Sequence, residues 1–131
     1  MDIEGSLRHA LADEPAVVCA WLFGSVARGT ARPDSDVDVA VLADLPSGRD
    51  SLAWRSELEA RLSRQVRRTV QIVAADRAPA DLVRRVLRDG LLLVDRDRKR
   101  RVALEVRKRI EYFDMTPVWR RIRRLPPGVA P

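Results

Sequence analysis

Leu22-Phe23-Gly24-Ser25-Val26-Ala27-Arg28-Gly29, followed a few residues later by Ser35-Asp36-Val37-Asp38-Val39, is the stretch whose reading decides the fold. Ahead of it, Ala16-Val17-Val18-Cys19-Ala20-Trp21-Leu22-Phe23 is nearly continuously apolar between Pro15 and Gly24, the pattern of a strand buried on both faces. Gly24 lets the backbone pass close to a ligand. Ser25 is placed to cap a short helix through Val26, Ala27 and Arg28, so that backbone N–H groups and a hydroxyl face outward together. A helix start of this kind favours phosphate. Beyond the turn, Asp36 to Leu42 alternates at period two, which sets Asp36 and Asp38 on one face and Val37, Val39 and Val41 on the other, toward the core. Two adjacent like charges repel unless a cation lies between them. Mg²⁺ is commonly held by one or two carboxylates together with phosphate oxygens, which suits this pair.

Working outward, Ile3, Leu7 and Leu11 recur at helical spacing, as do Trp54, Leu58 and Leu62, and predict helices over residues 2–12 and 50–65. Thr69 to Val73 reads as a third strand, Ala80 to Arg88 as a helix stopped by Gly90, and Leu91 to Val94 as a short fourth strand. Val102, Val106, Ile110 and Phe113 mark a last helix whose end falls around Pro117. The expectation is an α/β fold, a small mixed sheet with flanking helices, over residues 1–118, with a basic and flexible tail at 119–131 carrying Pro126-Pro127-Gly128. Trp119 anchors that tail, docks on a partner or packs locally; the sequence does not choose.

Composition bounds the function. With 131 residues the chain is one domain with a modest core. No apolar run reaches the length of a membrane span and Met1-Asp2-Ile3-Glu4 lacks a basic start, so the expected location is cytoplasmic. Cys19 is the only cysteine and sits in the apolar strand, where a packed thiol is expected rather than a nucleophile. His9, the only histidine, falls on the polar side of its helix, which leaves no Cys/His set for zinc. Residues 1–65 carry 7 basic and 11 acidic side chains, net −4, and residues 66–131 carry 18 and 8, net +10. The basic half suits attraction of a nucleoside triphosphate or an acidic partner, while most of its arginines read individually as a solvated face. Aromatic residues are too few for stacking along a strand, which argues against direct nucleic-acid binding.

The conjunction of Gly24-Ser25, the Ala27-Arg28-Gly29 triplet, Pro33-Asp34-Ser35 and Asp36-Val37-Asp38 resembles the signature of the minimal nucleotidyltransferases in the polymerase-beta-like superfamily. The resemblance implies that Gly24, Ser25 and Arg28 bind the nucleotide, and that Asp36 and Asp38 are catalytic and hold Mg²⁺ against ATP. It also implies a third carboxylate on the strand after the intervening helix. Gln71 occupies that position here, and an amide neither serves as a carboxylate base nor neutralises as much metal charge. Asp76 is the nearest acid downstream and the candidate substitute; Asp34 is assigned to the turn that presents Asp36. In length and signature the chain is similar to the antitoxins of MntA/HepT toxin–antitoxin pairs. That resemblance implies transfer of AMP from ATP to a tyrosine hydroxyl of a HEPN-type toxin. Two alternatives remain open at this point: a weakened transferase that neutralises its partner by binding alone, and a nucleotidyltransferase acting on a small molecule.

Overall fold

Nine elements follow one another in the computed structural model, which describes residues 2–45 and 51–123: α1 (Ile3–Ala12), β1 (Val17–Phe23), α2 (Gly24–Arg28), β2 (Val37–Ala43), α3 (Ser51–Val66), β3 (Val70–Ala74), α4 (Ala80–Asp89), β4 (Leu91–Asp95) and α5 (Arg98–Arg123). Each has a local cause. Asp2 caps α1 by accepting from the Gly5 N–H at 3.0 Å, satisfying one of the N–H groups a helix start leaves without a partner. The apolar β1 occupies a central position in a four-stranded sheet of order β3-β2-β1-β4. It pairs antiparallel with β2 and with β4, while β2 and β3 run parallel, so the sheet is mixed as expected.

Helices cover both faces. On one, Leu7 and Leu11 of α1 and Trp54, Leu58 and Leu62 of α3 pack on Val37, Val39 and Val41 of β2 and on Val70 and Ile72 of β3. On the other, Trp21, Ala40 and Leu42 meet Val86 of α4 and Leu104 of α5. Strict alternation fails in β1, where Val18 and Cys19 both join the second face, because the β1–β2 register shifts between Val17 and Cys19. A bulge adds one residue and turns the following side chains over.

Two features depart from the sequence reading. The last helix does not end near Pro117 but continues to Arg123. Its apolar row Val102, Val106, Ile110 and Phe113 faces outward, and the inward positions are Leu104 and Lys108. Lys108 is only 5% exposed because its ammonium donates to the Ala78 carbonyl at 2.8 Å and pairs with Glu111. The expectations for residues 124–131, including Pro126-Pro127-Gly128, and for the Trp119 side chain lie outside the described residues. No described helix is long and apolar enough to cross a membrane.

Candidate active site

β1 delivers the chain to the site and Gly24 turns it. Gly24 has φ 77, a left-handed conformation that costs a residue with a Cβ about 1 kcal/mol. A Cβ added there would collide with Oδ2 of Asp38, so the backbone passes directly against that carboxylate. The β-ladder explains the approach, since Phe23 is paired with Asp38 across β1 and β2. The five-residue α2 begins at Gly24 itself. Its N-cap is Phe23, with no side-chain cap bond, so Ser25 lies inside the helix rather than capping it as the sequence suggested. Ser25 instead accepts the Thr30 N–H on its carbonyl at 3.0 Å, which closes the helix into the following loop.

Asp36 and Asp38 stand at the start of β2, with Asp36 exposed and Asp38 half-buried on the Ala40 and Leu42 side. The Asp38 carboxyl is held above the ordinary value by burial first and by the neighbouring Asp36 charge second, with Arg28 opposing both. Arg28 therefore lies within electrostatic reach of the acids. Beside them on β3, Gln71 pairs with Asp38 in the parallel ladder and donates its amide Nε2 to Asp36 Oδ2 at 2.9 Å. Gln71 thus stands beside both acids in space.

Asp76 does not come to this place. The ladder runs from Asp38↔Gln71 to Val41↔Ala74, and Asp76 lies beyond that far end, roughly 10 Å or more along the strands from the acids. Its role as a substitute carboxylate is corrected accordingly. Among the described residues no three His, Cys, Asp or Glu side chains converge. The donor set is two adjacent carboxylates, with the proton affinity of Asp38 raised by its burial first and by the Asp36 charge second. That set fits a hard divalent cation sharing its remaining positions with phosphate oxygens, and it does not fit an all-protein cage.

Arg68 is a positioning residue that sequence reasoning missed. The turn leading into Asp36 is tied by Arg32 N–H to Ser35 Oγ at 2.8 Å and by Ser35 N–H to the Arg32 carbonyl at 3.0 Å, with Asp34 exposed within it. Arg68 donates to the Arg32 carbonyl at 2.9 Å and from Nε to the Ser35 carbonyl at 3.1 Å. Arg67, left-handed at φ 56, reverses the chain out of α3 and so brings Arg68 to that turn. Nothing in the sequence separates Arg68 from its many basic neighbours.

A sheet of this topology, with a glycine turn against paired acids at the start of β2, defines a nucleotidyltransferase core. The family of polymerase beta nucleotidyltransferases matches residues 6–99, and the chain belongs to it. Among solved structures, one toxin–antitoxin crystal structure with AMP-PNP is similar at 28% identity over 91% of this chain and 94% of that one, with a TM-score of 0.76. A MntA-HepT toxin–antitoxin structure is similar at 25% identity over 92% of both chains, TM-score 0.70. So is a tri-AMPylated Shewanella oneidensis HEPN toxin in complex with MNT antitoxin, also at 25% identity over 92% of both chains and a TM-score of 0.70. Compared with curated proteins, the sequence finds no match.

Proposed function

We propose that this chain is a Mg²⁺-dependent protein adenylyltransferase that acts as an antitoxin, moving AMP from ATP onto a tyrosine hydroxyl of a HEPN-type toxin. The observation that carries the proposal is the close approach of the Gly24 turn to Asp38 with Asp36 beside it, which sets the start of α2 next to paired carboxylates. Likeness to a toxin–antitoxin structure with AMP-PNP and to an antitoxin bound to a tri-AMPylated toxin supports the donor and the acceptor.

In this reading Asp36 and Asp38 hold Mg²⁺, which when bound neutralises triphosphate charge. The N–H groups of Gly24 and Ser25 at the start of α2 orient the phosphates, and Arg28 adds positive charge at their edge. The tyrosine oxygen forms a bond to the α-phosphorus as the bond to the bridging oxygen of pyrophosphate breaks; pyrophosphate leaves and the phenolic proton passes to solvent. Gln71 fixes the Asp36 carboxylate through its amide and takes no proton. Such transfers draw mainly on positioning and charge, which a site without a third acid can still provide.

Intact-mass measurement of the toxin after incubation with the chain, ATP and Mg²⁺ tests this, with Asp36→Asn and Asp38→Asn in parallel. Addition of AMP units with the parent chain and none with either variant is the expected result; labelling retained in both variants removes the metal site from the mechanism. The Gln71–Asp36 bond favours one rival, a chain that neutralises by contact alone, because one oxygen of Asp36 is already engaged. That rival predicts a stable complex, no mass gain, and no thermal stabilisation by ATP with Mg²⁺.

A further inference from the structure

Helix α5 carries apolar residues on two sides, and the fold uses only one of them. Leu104 is buried against the sheet, whereas Val102, Val106, Ile110 and Phe113, spaced by four, four and three residues, are 39% to 62% exposed and form one row along the outer side. Single exposed apolar side chains are ordinary, but an unbroken row on a helix this rich in charge marks an interaction face. Its rim is positive. Arg100, Arg101 and Arg107 are neutralised by Asp44, by Asp95 with Glu105, and by Glu111 respectively. Arg98, Lys99 and Arg109 are exposed and have no ion pair among the described residues, and Asp114 is the one exposed acid near the row's end. Beside Phe113 a groove of about 260 Å³ opens between α4 and α5, adding Arg84, stacked on Tyr112 at 4.7 Å, while Arg88 on its wall is paired with Asp89.

We propose that the outer face of α5 docks a helix of the HEPN-type toxin, one whose apolar row is flanked by acidic residues; the proposal rests on the function assigned above and names the surface that holds the acceptor. Charge selects this occupant. A second copy of the chain would set Arg98, Lys99 and Arg109 against their own kind, and a nucleic acid would meet the cations but leave the aliphatic row in water. An apolar helix edged with carboxylates covers the row and neutralises the rim together.

The test uses the full chain and a purified HEPN-type toxin. Binding is measured by calorimetry at low and physiological salt for the parent, for the double variant Val106→Glu with Ile110→Glu, and for Asp36→Asn. The expected result is affinity reduced at least about tenfold in the double variant, with its melting temperature and its stabilisation by ATP and Mg²⁺ kept at the parent's values. Asp36→Asn binds as the parent does. Reversal of Arg98, Lys99 and Arg109 to Glu slows association and weakens or inverts its salt dependence. A parent complex that the double variant leaves intact overturns the docking face alone. A parent chain with no affinity for the toxin overturns both the docking face and the assigned partner. A parent dimer in sedimentation that the double variant dissolves assigns the face to a second copy and overturns the proposal as well.

Discussion

Gly24 and Asp38 constrain each other, and the constraint is testable from either side. Gly24→Ala drives a methyl into Oδ2 of Asp38 and imposes a left-handed conformation on alanine. The expected outcome is a loss of about 1 kcal/mol, or roughly 4 °C in melting temperature, with the stabilisation by ATP and Mg²⁺ abolished. Asp38 has a pH signature of its own. Its folded value is raised, so the native state holds a proton more tightly than the unfolded chain, and its contribution to stability falls as pH climbs from the ordinary value of 3.8 through the raised one. Asp38→Asn removes that penalty. Thermal melts of the metal-free protein are expected to show the variant at least as stable as the parent at pH 7, with any advantage shrinking toward pH 4. Cys19 behaves oppositely to a nucleophile. Burial first, and the Asp95 charge second, push its thiol up to about 12, which makes alkylation of the native chain slow and tied to unfolding.

At the scale of elements, the strands and helices were largely legible because burial and periodicity coincide in them. The apolar run before Gly24 is β1, the alternating valines are β2, and Trp54, Leu58 and Leu62 are the buried edge of α3. The acids were also legible as a pair, since strand alternation puts them on one face, while the β1–β2 register that brings Gly24 to Asp38 is a matter of pairing. What escaped was held by arginine. Arg96 donates to the carbonyls of Leu11, Ala12, Glu14 and Val17, closing the end of α1 from the far side of the chain. Long-range partners of this sort leave no local pattern, and 25 basic residues offer no means of choosing among them. Helix α5 misled for a related reason: a lysine paired to a carbonyl lies on its inner face, while the apolar spacing that reveals the helix lies on its outer one. Arg68 supplies the prediction for this scale. Arg68→Ala frees the turn before Asp36 and is expected to destabilise the chain by roughly 1.5–3 kcal/mol in urea melts. Transfer should slow through kcat more than KM, because the acids remain but are no longer fixed.

For the molecule as a whole, one sheet serves two cores. Trp21 lies in the layer under α4 and α5, and Trp54 in the layer under α1 and α3. Both layers share β1 and β2, so neither survives the loss of the other. Two variants, each retaining only Trp21 or only Trp54 with the other tryptophans replaced by Phe, are expected to give fluorescence transitions in urea that share a midpoint with circular dichroism, once each is compared with its own parent. Separated midpoints would divide the domain into independent units.

The clamp on the acid-bearing turn also sets an order in time. Arg68 reaches a carbonyl 36 residues back in the chain, and Gln71 reaches Asp36 across 35. During translation the two acids leave the ribosome well before the residues that fix them, and β3 must emerge and dock before the turn is held. The growing chain therefore has the acids without the geometry, and the arrangement around them is completed only once β3 docks at the edge of the sheet.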